Sequence, residues 1–304
     1  LFESLFFDYP INLINLFKNF PLIKIFGSLI SYLSTFFVTS RRGTNDLESW
    51  LIKSYGKYLY LLFFKSYSER LWGLPCKKIS SDFAKQRIQG ISLVDIIKKI
   101  ILPKYQKKTF TQFFDYPLEG TGSVYENMAK EFKSYGGEIL FNDYVTEISL
   151  ATVSQGKYKV SRIYTANKRE ITCDYLCSTI PLSEFFSLIY PLKKKLTDNL
   201  RFRSTILVYL KVDKTDLFKD NWIYINDPNL VFGRVTNYRN WSADLFTQVD
   251  YSVLSLEVWT QFNDATWNQS HELLITRCIE DIAKTGLIKK QWVSDSKVIP
   301  VKNS

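Results

Sequence analysis

The sequence predicts an α/β protein of mixed α+β character, and three observations carry that reading. Residues 45–101 repeat their apolar positions at helical spacing, whereas most of the chain from Glu138 to Phe262 alternates apolar and polar residues as strands do. The 304 residues suggest about two domains. No internal repeat or low-complexity linker separates two halves, so the domains are expected to interleave.

The elements follow in order. Ile11 to Val38 is apolar but broken by Lys18, Pro21 and Lys24, and no run reaches the ~18 residues of a membrane span. Two amphipathic helices meeting at Pro21 and packed on the protein are expected, with peripheral membrane contact through residues 11–38 as the alternative. Asn45 and Glu48 form a capping pair before Leu47, Leu51, Leu59, Leu62 and Phe63, predicting a helix to about Tyr67. Ser81 and Ser92 open two further helices, the second ending at Pro103. After the Gly120 and Gly122 loop, Ser123 and Glu126 predict a capped helix to Tyr135, closed by Gly136-Gly137. Strands are predicted at 138–141, 145–150, 157–166 and 169–180, then at 205–212, 222–225, 230–235 and 252–262. A helix from Ser270 to Lys284 and a strand from Gln291 to Val301 complete the chain.

Composition argues against several chemistries. A single histidine, His271, expected as a solvated residue at the start of a helix, argues against a Ser-His-Asp triad and a multi-histidine metal site, and no metal is expected. Cys76, Cys173, Cys177 and Cys278 have no zinc-like spacing and read as reduced thiols of a cytoplasmic protein. The net charge of +10 is spread over many short basic clusters, which argues against nucleic acid as a partner and leaves an anionic substrate or membrane surface in play. Nothing in the pattern specifies an oligomer. The chain starts at Leu1 and its one methionine, Met128, is internal, which points to a processed start or a piece of something longer.

A family resemblance rests on an ordered set of motifs. These are Phe6-Phe7-Asp8-Tyr9-Pro10, the run Phe63 to Cys76 centred on Glu69-Arg70-Leu71-Trp72-Gly73-Leu74-Pro75, and Ile79 to Ile88 with Gln86-Arg87. They continue with Tyr116-Pro117, Ser178-Thr179-Ile180-Pro181-Leu182, Asp220 to Ile225, Gly233-Arg234-Val235-Thr236-Asn237 and Asn240-Trp241-Ser242. Together they resemble FAD-dependent oxidoreductases related to protoporphyrinogen oxidase, amine oxidases and UDP-galactopyranose mutase. The resemblance spans nearly the whole chain. Family members open with a G-x-G-x-x-G unit that holds the FAD pyrophosphate and end with a Gly-Asp segment. This sequence contains neither, so an internal fragment of a larger flavoprotein is expected.

The resemblance implies a partial Rossmann-like FAD domain interleaved with a substrate domain of mixed sheet and helices. It divides the chain into a mainly helical substrate or cap region at 1–115, part of the FAD domain at 116–185, and a substrate-domain sheet with a C-terminal helix at 186–304. It implies FAD as cofactor, with Val145, Thr179 and Pro181 beside it, and a small-molecule substrate met by Trp72, Arg87, Tyr116, Arg234 and Trp241. No residue is assigned a catalytic role, because the flavin carries the redox chemistry. An oxidoreductase is the first expectation, and a flavin-dependent isomerase of a nucleotide sugar the second. A noncatalytic membrane-peripheral or interaction module is the third.

Overall fold

The computed structural model describes residues 27–28, 30–35, 45–82, 115–155, 157–189, 200 and 202–303. The chain divides into two compact units, one built from Leu1–Gly120 and Arg203–Lys302, the other from Thr121–Phe202.

The first unit starts with a broken helical run. Helix α1 spans Leu47–Tyr55, and Asp46 rather than Asn45 is its cap, its carboxylate accepting from the Ser49 N–H at 2.8 Å. Leu47, Leu51, Tyr55 and Leu59 fall at four-residue spacing and are buried with Tyr60 and Cys76. Gly56 interrupts the helix at φ 84°, where a side chain would be strained and would meet the Tyr32 backbone at 3.0 Å. The chain resumes as α2, Lys57–Leu59, passes through a π-helical stretch at Tyr60–Lys65, and ends in α3, Ser66–Trp72. The helical run expected to stop near Tyr67 therefore continues to Trp72, and Gly73 closes it in the left-handed conformation at φ 63°. The Asn226 side-chain amide donates to the Leu62 and Phe63 carbonyls within the π stretch, at 3.0 and 3.1 Å. Most of the helices expected from Ser81 and Ser92 lies outside the described residues, as does most of Ile11 to Val38.

The second unit opens with α4, Thr121–Ser134. Ser123 is inside this helix instead of capping it, and Gly136 ends it at φ 85°. Strands β1 (Val145–Ser154), β2 (Lys157–Thr165) and β3 (Glu170–Thr172) form an antiparallel meander in that order. Two expected strands shrink here. Residues 138–141 are not a strand, and the one expected at 169–180 keeps only three ladder positions on β2. An alternating pattern makes a strand only where a neighbour completes its hydrogen bonds. Helix α5, Leu182–Leu188, follows Pro181.

The first unit then gains its sheet: β4 (Ser204–Val212), β5 (Trp222–Tyr224), β6 (Arg234–Asn237), the single turn α6 (Tyr238–Trp241), β7 (Ser252–Thr260), α7 (His271–Lys284) and β8 (Val293–Val301). The strand order is β5-β6-β7-β4-β8, antiparallel throughout instead of mixed. Ile206, Val208 and Leu210 of β4 and Leu254, Leu256 and Val258 of β7 point to one face. Leu274, Cys278 and Ile282, four residues apart on α7, are buried in the same apolar core. The strand expected from Leu230 begins only at Arg234, because the preceding residues turn the β5–β6 hairpin. That turn is held from two sides. Arg70 of α3 donates to the Asp227, Leu230 and Phe232 carbonyls at 2.8–3.1 Å, and the buried Asp281 carboxylate of α7 accepts from the Val231 N–H at 2.9 Å.

Candidate functional site

Period-two geometry puts every charged strand residue of the five-stranded sheet on the face opposite α7. The register fixes their neighbours. Arg234 lies directly across from Glu257 on one side and Tyr224 on the other, while Tyr209 lies between Ser255 and Lys297.

At the centre, the Arg234 Nε and Nη2 both donate to Glu257 Oε1, and the Trp259 indole N–H donates to Glu257 Oε2 at 3.3 Å. Burial works against the Arg234 charge, but the bonds to Glu257 more than offset it and leave its pKa above the ordinary value. Tyr67 of α3 sets its ring edge-on to both Tyr224 and Trp259, with centroids 5.5 and 5.4 Å away. Gly233 is required beneath this group, since a Cβ there would run into the Trp259 ring.

The short α6 presents two more rings. Asn237 caps the turn through the Arg239 N–H, Arg239 donates to the Val249 and Tyr251 carbonyls, and Asn240 to those of Phe218 and Asp220. Ser242 donates to the Leu118 carbonyl at 2.6 Å. With those four anchored, Tyr238 stacks on Tyr209 and Trp241 stacks on Trp222, at 6.1 and 5.4 Å between centroids. Burial and a hydrogen bond to Tyr238 push the Tyr209 hydroxyl up to about 12. Tyr116 packs at a tilt against Trp241, with ring centroids 5.0 Å apart.

The structure thus joins Tyr116 to Trp241 directly and sets Arg234 on the sheet face that carries Trp222. Trp72 is half-buried at the last position of α3. The carbonyls of the two residues before it accept from the Arg203 guanidinium, which leads into β4. Arg87 lies outside the described residues. In the second unit, Val145 is the first residue of β1, the outer strand of its sheet, whose outer edge is bridged only at Ile148–Ile189 among the described residues. Thr179 is exposed in the segment after β3, and Pro181 precedes α5. Glu257, Trp259, Tyr209 and Tyr238 escape a reading by motif. Strand parity groups Glu257 with Trp259, but only the register reveals that Arg234 faces them.

A family model for flavin containing amine oxidoreductases matches residues 57–297. The chain belongs to that family. Among solved structures, reduced UDP-galactopyranose mutase is similar with a TM-score of 0.76 at 18% identity, over 93% of this chain and 60% of that one. A protein from Exiguobacterium sp. 255-15 assigned as a protoporphyrinogen oxidase gives 0.61 at 17% identity, over 87% and 57%. Putrescine oxidase bound to putrescine gives 0.58 at 11%, over 92% and 62%. These likenesses establish the fold, and the chain spans about three fifths of the length of each. No curated protein sequence matches.

The residues present fit one part of a flavin nucleotide. Among the described residues the outer edge of β1 has no strand partner at Val145, and backbone groups on such an edge suit a flat heterocycle. The phosphates have no G-x-G-x-x-G among these residues.

Proposed function

We propose that this chain is part of an FAD-dependent oxidoreductase, with the second face of the five-stranded sheet receiving the substrate. The observation that carries the proposal is the aromatic and ionic lining of that face in a chain of the flavin family. When bound, FAD supplies the electron-accepting chemistry that no side chain here provides. Val145, Thr179 and Pro181 are the residues on its side. Arg234, fixed by Glu257, orients the substrate, while Trp241 and Tyr116 offer ring surfaces and exclude water.

The protein purified from its source should be yellow, with a flavin absorption band. Colourless protein that stays colourless after incubation with FAD overturns the reading. A flavin-dependent mutase of a nucleotide sugar is the second reading, favoured by the 0.76 TM-score of the mutase structure. Incubation with UDP-galactopyranose and dithionite separates the two: a ring-contracted product supports the mutase, and unchanged sugar supports the oxidoreductase.

A further inference from the structure

The charges on the substrate face indicate what sort of molecule it takes. Its five strands carry two acids, Glu257 and Asp295, and three cations, Arg234, Lys211 and Lys297. Both Glu257 oxygens are already engaged, one by Arg234 and the other by the Trp259 indole. Glu257 is largely buried, so an ammonium group approaching it would have to displace a guanidinium bonded through two nitrogens. Asp295 is exposed at the edge strand, directly across from Lys211, and accepts from the adjacent Ser296 N–H. On the donor side, Arg234 remains partly exposed, and of its five N–H groups two go to Glu257 and another bonds the Tyr224 hydroxyl, leaving donors to spare. Lys297 is exposed beside Tyr209, and the Lys211 ammonium sits 4.7 Å from the centre of the Tyr251 ring. The face therefore has its buried acceptor occupied while its donors still have bonding capacity.

The second component is the ring platform. Trp222 and Tyr224 project from β5 two residues apart, and Arg234 lies opposite Tyr224. At ~3.4 Å per residue, Arg234 is therefore about 7 Å along the sheet from the Trp222–Trp241 stack. A planar group against the stack and an anionic group about that far away would satisfy both at once.

We infer that the substrate is a ring-bearing anion, a carboxylate or a phosphate, and not an amine. This rests on the sheet face being the substrate site, and it departs from the chemistry that the family description suggests.

The test uses three probes sharing one ring, 1-naphthyl phosphate, 1-naphthoate and 1-naphthylmethylamine, titrated calorimetrically into the 304-residue chain. At least one anionic probe should bind tenfold or more tightly than the amine, and whichever anion is tighter assigns phosphate or carboxylate. Arg234→Gln releases Glu257 and should invert the order in favour of the amine. Arg234→Lys keeps the charge and should retain a weaker anion preference. Trp241→Ala should weaken all three probes alike. Circular dichroism of each variant verifies the fold, and the wild-type and Arg234→Lys titrations decide the matter if Arg234→Gln does not fold. An amine bound as tightly as both anions by the wild type, or no binding of any probe by folded protein, overturns the inference. The test needs no flavin, so its outcome is independent of the FAD reading, which falls only if protein from its source stays colourless after incubation with FAD.

Discussion

Gly233 and Asp264 show how single positions hold the five-stranded sheet and its turns in place. Gly233 donates its N–H to the Glu257 carbonyl, and the Trp259 ring occupies the space a side chain would take. Gly233→Ala should therefore displace Trp259, costing about 1–3 kcal/mol by overpacking, and urea denaturation with tryptophan fluorescence would register both effects. Unchanged stability and emission would mean that the ring moves at no cost. Asp264 pins the turn after β7. Burial alone would raise its carboxyl pKa, but hydrogen bonds from the Thr260 hydroxyl and the Gln261, Trp267 and Thr266 N–H groups outweigh it and hold the carboxyl below the usual carboxylate range. A depressed folded pKa means that the carboxylate contributes stability above its unfolded value, lost as pH falls through the folded one. Asp264→Asn should lower stability at pH 7 and flatten the decline below about pH 4. Denaturation midpoints from pH 2.5 to 7 would check this, and a variant with an unaltered acid slope would refute it.

Among the elements, the β5–β6 hairpin depends on partners remote in sequence. Arg70 is charged and substantially buried, with a pKa lowered by that burial, and three hairpin carbonyls surround its guanidinium. Arg70→Met would strip all three of their donor, and a loss of about 2–4 kcal/mol is expected from the charge-assisted bonds. The same variant should increase hydrogen exchange at residues 225–233. Protection equal to wild type there would show that Asp281 alone is enough to hold the turn. This dependence also explains which elements were legible. Strands β4 and β7 and helix α7 alternate or repeat cleanly, so the expected 205–212, 252–262 and 270–284 lie within about two residues of the observed ends. Leu230 to Phe232 is an apolar run of the kind a buried strand uses, yet it belongs to the turn that Arg70 and Asp281 hold, and no local pattern reveals such partners. The candidate site divides similarly. Tyr116, Arg234 and Trp241 were visible through motifs, whereas Glu257, Tyr209 and Tyr238 needed the register.

Across the whole molecule, buried apolar surface is shared very unequally. In the first unit, α7 and the five-stranded sheet enclose one continuous core, in which Val208, Leu210, Phe232, Leu254, Leu256, Leu274 and Ile282 are all 0% exposed. In the second unit, Ile148, Ile163 and Ile189 are the buried apolar side chains among the described residues, and α4 buries none. Each well-buried aliphatic side chain contributes roughly 1.5–3 kcal/mol, while ordering one residue's backbone costs ~1–2 kcal/mol. Among the described residues, three such side chains contribute far less than the core of the sheet. The second unit should therefore open locally at lower free energy than the first. Hydrogen exchange followed by mass spectrometry should find β1, β2 and α4 exchanging at least a hundredfold faster than β4 and β7. Added FAD gives the discriminating measurement. If Val145 meets the cofactor, slowed exchange should centre on the start of β1 and leave β4 unchanged. Equal protection of β1 and β4 without FAD would refute the unequal-core argument, and slowing confined to β4 would move the cofactor away from Val145.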